Sequence, residues 1–108
     1  MFNQPIGSWN TSNVTRMECM FFNALVLNQP MGSWNTGKVK NVESLFYGTE
    51  MFNKDISTWD VGMVENMDWM FRDAWMFNQP IGSWNTGNVA NMLYMFKDAS
   101  SFNQPIGP

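Results

Sequence analysis

Apolar and polar positions recur along this chain with a fixed period of 25 residues. An aromatic residue or leucine opens each copy, and asparagine follows it every time. A period of this length predicts a stacked tandem array such as a solenoid, because one unit cannot bury its apolar face alone. Residues 1–108 are therefore interpreted as a single repeat domain with units 2–26, 27–51, 52–76 and 77–101 and a partial unit 102–108.

The first half of each unit predicts a short strand. Ile6, Gly7, Ser8 and Trp9 are bounded on both sides by turn residues, and Pro5, which lacks an N–H donor, marks the corner before them. Stacked on its equivalents, this segment is expected to form a parallel sheet on one side. One tryptophan occupies the same position in each of the four units: Trp9, Trp34, Trp59 and Trp84. These tryptophans are expected to stack on one another in the core; the alternative is that they are exposed and stack on a sugar.

The second half of each unit predicts a short helix. Residues 10–13 are polar and suited to helix capping, and an apolar run follows with offsets typical of one helical face. In the first unit this run is Val14, Met17, Met20, Phe21 and Ala24. A helix of two or three turns is expected at about residues 15–23 of each unit, or an irregular first turn before it. The chain is therefore predicted to be an α/β solenoid of about four units, each with one strand and one helix.

The asparagine that follows each opening residue is interpreted as structural. Buried loop N–H and C=O groups need partners, which side-chain amides can supply. A catalytic or ligand-binding asparagine would not need to recur in every copy. A buried ladder between neighbouring corners is therefore expected, formed by Asn3, Asn28, Asn53, Asn78 and Asn103.

Composition narrows the function. Nine acidic and six basic residues give a net charge of −3, and without a clustered basic patch no nucleic-acid partner is expected. No apolar stretch is long enough to span a bilayer. The chain has no histidine, one cysteine (Cys19), no motif that pairs a nucleophile with a base and no glycine-rich phosphate loop, so we expect no enzyme, cofactor or metal site. The acidic residues Glu18, Glu43 and Asp68 share one repeat position, which favours a solvated face or a weak cation contact.

The units FNQPIGSWNTSNVTRMECMFFNA and FNQPIGSWNTGNVANMLYMFKDA resemble the 25-residue repeat of the BspA-like leucine-rich-repeat surface proteins. The resemblance covers the whole chain and implies a right-handed α/β solenoid, a non-catalytic binding or adhesion role and an extracellular or cell-surface location. The spacing of Phe2, Ile6 and Trp9 departs from the L-x-x-L-x-L pattern of ordinary leucine-rich repeats. We therefore do not expect the inner face of this chain to have the geometry of the inner face in ordinary leucine-rich repeats.

Large apolar residues stand where units of that family carry small polar ones. The helical period places them outside the core face, and exposed apolar patches mark contact surfaces. The alternative is that Leu25, Met51 and Met76 pack beneath the corner. The candidate partner-binding residues are Phe22, Tyr47, Trp69, Trp75, Met76 and Tyr94.

Two classes of function follow. The first is a non-catalytic structural or protein-interaction module that docks on a protein assembly, with residues 1–108 forming part of a longer chain or assembly. The second is a cell-surface adhesin-type module that binds an external protein or glycan through its strand face. A protein is the expected partner, and a glycan is the second candidate.

Overall fold

A computed structural model describes residues 3–105, and successive units in it lie side by side in register. Within this range there is no helix, and the only strand-like pairings are three isolated parallel bridges, Arg16–Asn41, Asn41–Asn66 and Asn66–Asn91. The predicted α/β solenoid, with a strand and a helix in each unit and a parallel sheet on one side, is therefore wrong. The backbone of residues 3–105 alternates between turns and irregular segments, and in the second half of each unit the turns cover residues 18–23, 43–48, 68–73 and 93–98.

The predicted helix is replaced by overlapping turns because its backbone groups bond in two directions. Within the first unit, N–H groups donate to the carbonyl three residues back, as in Met20 to Met17 at 3.3 Å and Ala24 to Phe21 at 2.9 Å. The alternate N–H groups donate instead to the next unit. These four bonds, of 2.7 to 3.1 Å, run from Met17, Cys19, Phe21 and Asn23 to the carbonyls of Asn41, Glu43, Leu45 and Tyr47.

Left-handed residues recur inside these turns and exclude a continuous helix. Asn23, Gly48, Asp73 and Asp98 share one repeat position, and all have φ between 58° and 76°. Glycine, asparagine and aspartate are the residues that adopt this conformation most readily. Because a right-handed helix needs φ near −60° at every residue, these positions break it.

The predicted strand is also a turn. The N–H of Trp9 donates to the carbonyl of Ile6 at 3.1 Å, which closes the segment on itself. That same carbonyl accepts the indole N–H of Trp34 at 3.0 Å. The backbone groups that a sheet would require are thus occupied within the unit and by the next tryptophan.

Apolar side chains from the units meet in one continuous core. Phe46 is fully buried, and its ring lies 5.9 Å from Phe21, 5.6 Å from Phe71 and 4.4 Å from Phe52 between ring centres. Burial of one such side chain stabilises the fold by about 1.5–3 kcal/mol. Because equivalent residues stack from unit to unit, the 25-residue period of the sequence becomes the packing period of the core.

Candidate interaction surface

Four of the proposed partner-binding side chains form a row, which we name the aromatic strip: Phe22, Tyr47, Trp69 and Tyr94. Neighbouring ring centres along it are 4.8, 5.8 and 5.9 Å apart. Phe22 and Tyr94 are about half exposed, whereas Tyr47 and Trp69 are half-buried. The strip is therefore a solvent-facing aromatic surface that crosses all four units.

Two cations lie over the rings of the strip. The guanidinium carbon of Arg72 is 4.8 Å from the ring centre of Trp69 and 5.4 Å from that of Tyr47, and the Lys97 ammonium is 4.9 Å from the ring centre of Tyr94. Such contacts contribute about 0.5–1 kcal/mol each at exposed sites. Sequence reasoning missed both cations, although they share the repeat position of Phe22 and Tyr47.

Neither cation has an acidic partner in the described part of the chain. Between residues 3 and 105 the single ion pair joins Arg16 and Glu18, at 2.9 Å. The Nε atom of Arg72 is buried and has no hydrogen-bond partner within the same range. The strip therefore carries two positive charges that form no ion pair within residues 3–105, on a protein whose net charge is −3.

Trp75 and Met76 lie at the following corner and have no ring contact with the aromatic strip among residues 3–105. Both are 49% exposed. Backbone bonds between units fix this corner, with the Met76 N–H donating to Glu50 at 3.1 Å. Met51 is also half exposed. The alternative that Leu25, Met51 and Met76 pack beneath the corner is therefore wrong for Met51 and Met76, whereas Leu25 is half-buried.

The backbone beneath the aromatic strip is left-handed at one position of every unit. Trp69 and Tyr94 have φ of 62° and 51°, and their equivalents Cys19 and Ser44 have 57° and 54°. The left-handed conformation costs a residue with a Cβ roughly 1–2 kcal/mol. Two large aromatic residues nevertheless adopt it, which places their rings beside the cations.

The asparagine ladder joins successive units at the opposite half of each repeat. The Oδ1 atoms of Asn3, Asn28, Asn53 and Asn78 each accept the backbone N–H of the next asparagine, at 3.0, 3.1, 2.9 and 3.0 Å, and the series ends at Asn103. These residues are exposed or half-buried, so the expected burial of the ladder is wrong. The prolines of the corners that follow, Pro5, Pro30, Pro80 and Pro105, are exposed, as is Asp55 in the third unit.

The tryptophans form a column whose later members lie in the core. Ring centres of Trp9 and Trp34 are 6.2 Å apart, and those of Trp34 and Trp59 are 6.1 Å apart. Trp34, Trp59 and Trp84 are buried, whereas Trp9 is 48% exposed. The three buried rings are not available for stacking on a ligand.

The acidic column is held by hydrogen bonds. A hydrogen bond from Arg16 lowers the pKa of the Glu18 carboxyl below its ordinary value and raises the pKa of the Arg16 guanidinium. Asp68 accepts the backbone N–H of Leu93 at 2.7 Å, and Glu43 accepts from the Asn66 amide at 3.5 Å. Within residues 3–105, no group of three or more His, Cys, Asp or Glu side chains is arranged to hold a metal ion.

The part of the chain that the structure describes contains no helix with the length and apolar character needed to cross a bilayer.

Comparison with known proteins gives one family. The family model described as "Mycoplasma protein of unknown function, DUF285" matches residues 1–67 and again residues 31–108, so its two matches together extend over the whole chain. No curated protein and no solved structure matches the chain. The repeated unit, its in-register stacking and this match identify the chain as a member of the DUF285 family.

Proposed function

We propose that this chain is a non-catalytic protein-interaction module whose aromatic strip binds a protein segment rich in acidic and apolar side chains. The observation that carries the proposal is the combination of exposed rings with two cations that lack an ion-pair partner within residues 3–105. Tryptophan, tyrosine and arginine are the residues in which binding hot spots are enriched. An acidic segment supplies negative charges with which Arg72 and Lys97 can pair.

The geometry of Arg72 supports a carboxylate as the recognised group. Contact with Tyr47 and Trp69 holds the guanidinium in place before a partner arrives, so less conformational freedom is lost on binding. Arginine also binds a carboxylate through two parallel hydrogen bonds, which adds specificity. Apolar side chains of the same segment would pack against the exposed rings of Phe22 and Tyr94.

The likeness of the repeat to BspA-like surface proteins is part of this proposal, and it favours a location at the cell surface. An adhesin role would use the same strip, because the strand face expected for it is a turn and three of the tryptophans are buried. The two roles then differ only in where the acidic segment resides.

The test is selection from a random peptide library displayed on phage, followed by affinity measurement on the enriched peptides. We expect enriched peptides to combine Asp or Glu with large apolar residues. Their affinity should fall at least about tenfold for Arg72→Gln and for Trp69→Ser, and it should weaken as salt is raised. Serine is chosen because Ser44 already occupies the equivalent left-handed position.

The matched control is Met63→Ser, which removes a 45% exposed apolar side chain outside the strip. It should leave peptide affinity unchanged. Failure to enrich any peptide, or peptides that bind both strip variants as tightly as the parent, would show that the strip is not the binding surface.

A further inference from the structure

Four exposed apolar side chains lie along the corner that ends each unit, and we name them the methionine corner: Val26, Met51, Trp75 and Met76. Val26 is 37% exposed, and the other three are about half exposed. Backbone bonds between units align this corner, since the Met51 N–H donates to the Leu25 carbonyl and the Met76 N–H to the Glu50 carbonyl, both at 3.1 Å. Val26, Met51 and Met76 share one repeat position, so they follow one another across three units.

The exposure of the methionine corner is a property of internal units. Met51 and Met76 each have an equivalent residue in the unit before and in the unit after, and both are nevertheless half exposed. In the fourth unit Ser100 and Ser101 take the places of Trp75 and Met76 and are also exposed. The corner therefore forms without large apolar residues at these places. Apolar surface that remains exposed in this way is typical of a contact with a partner.

Two acidic side chains accompany the methionine corner and form no ion pair within residues 3–105. The Glu50 carbonyl accepts the Met76 N–H, which places Glu50 beside Met76 across the boundary between units. Asp73 precedes Trp75 by two residues. Both acids are half-buried, and the single ion pair of that range lies in the first unit.

The basic residues close to the methionine corner in sequence do not neutralise these acids. Arg72 places its guanidinium over the rings of Tyr47 and Trp69 in the aromatic strip. Lys54, three residues after Met51, forms no ion pair within residues 3–105. The apolar side chains of the corner are therefore accompanied by unpaired negative charge, whereas the rings of the aromatic strip are accompanied by unpaired positive charge.

We propose that the methionine corner is a second docking surface, and that its occupant is a protein segment with basic and apolar side chains. Methionine is unbranched and adapts to the shape of what it contacts, and tryptophan is enriched in binding hot spots. Glu50 and Asp73 favour a partner that carries lysine or arginine, and they disfavour an anionic lipid surface. The two surfaces of the chain then recognise segments of opposite charge.

The test measures the affinity of the 108-residue chain for a fluorescent amphipathic peptide made of leucine and lysine. The same peptide with glutamate in place of lysine is its counterpart. We expect the affinity for the lysine peptide to fall at least about tenfold for Trp75→Ser and for Met76→Ser, which copy the fourth unit. Glu50→Gln should also weaken it, and the loss should shrink as salt is raised.

Matched controls separate this surface from the rest of the chain. Met63→Ser removes an exposed apolar side chain and Glu65→Gln removes an exposed charge, both outside the methionine corner, and neither should change the affinity. Arg72→Gln, which removes a cation of the aromatic strip, should not weaken binding of the lysine peptide. Failure of one surface is therefore distinguishable from failure of the other.

Nuclear magnetic resonance locates the contact. The indole N–H groups of Trp34, Trp59 and Trp84 donate to backbone carbonyls, whereas that of Trp75 has no partner within residues 3–105. The indole signal that is lost in Trp75→Ser should be the one that shifts most when the lysine peptide is added.

Several results would overturn the proposal. One is a parent chain that does not bind the lysine peptide, and another is one that binds the glutamate peptide equally well through the methionine corner. Serine variants that bind as tightly as the parent would also contradict it. Self-association of the chain that Trp75→Ser and Met76→Ser abolish would identify a second copy as the occupant, and binding to anionic vesicles that they abolish would identify a lipid surface.

Discussion

Left-handed residues decide the local path of this chain. Every unit places one such residue at the position shared by Asn23, Gly48, Asp73 and Asp98, where the sequence supplies only asparagine, glycine or aspartate. Gly48 is the most constrained of them, because its φ is 76° and a Cβ there would overlap the side chain of Asn23. Glycine at position 48 therefore allows both the left-handed backbone and the close approach of Asn23.

Replacement of this glycine should be costly. We expect Gly48→Ala to lower the free energy of unfolding by about 1–3 kcal/mol, because the backbone becomes strained and Asn23 must move. Urea denaturation followed by tryptophan fluorescence would measure it. Gly37→Ala is the matched control, since its Cβ would meet Asn35 Oδ1 at 3.3 Å and Ser12 occupies the equivalent position in the first unit. Equal losses in the two variants would contradict the role given to Gly48.

The turns of the second half show where sequence reasoning succeeds and fails. The inward positions of Met17 and Phe21, and of their equivalents in the second and third units, follow from the apolar spacing, because consecutive i to i+3 turns bring the same residues to one face as a helix does. The spacing therefore cannot distinguish the two structures. What separates them is the bonding of alternate N–H groups to the next unit, which is a long-range feature that no local pattern contains. The local signal that was available is the Asn, Gly, Asp, Asp series at the left-handed position.

The apolar spacing of the sequence also predicts part of the candidate surface. The apolar spacing places Phe22, Tyr47, Trp69 and Tyr94 outside the core period, and they lie together in the structure. The same spacing does not indicate Arg72 and Lys97, because neither residue is apolar. The sequence signal for these two cations is the repeat position that they share with Phe22 and Tyr47.

The asparagine ladder is the element that joins the corners, and its worth can be measured at Asn53. Its Oδ1 accepts the N–H of Asn78 at 2.9 Å and the side-chain amide of Gln79 at 2.9 Å. We expect Asn53→Ala to cost about 0.5–1.5 kcal/mol of unfolding free energy, the usual net worth of a hydrogen bond, because water can reach the exposed amide. Asn53→Asp keeps the acceptor and should cost less. Thermal and urea unfolding of both variants would test this, and an alanine variant as stable as the parent would show that the ladder contributes nothing.

At the scale of the whole molecule, each unit is bonded to its neighbour by a regular series of backbone hydrogen bonds, in which alternate N–H groups of residues 17–23, 42–48 and 67–73 donate to carbonyls of the next unit. This regular arrangement predicts a pattern of amide hydrogen exchange. The N–H groups of Ser44, Phe46, Trp69 and Phe71 lie in the middle of the stack, bonded to carbonyls at 2.8 to 2.9 Å, so they should exchange slowly. The equivalent N–H groups of Met92, Tyr94, Phe96 and Asp98 have no partner within residues 3–105 and should exchange quickly. Amide exchange of the 108-residue chain followed by nuclear magnetic resonance would measure both sets, and equal rates in the two sets would contradict this arrangement.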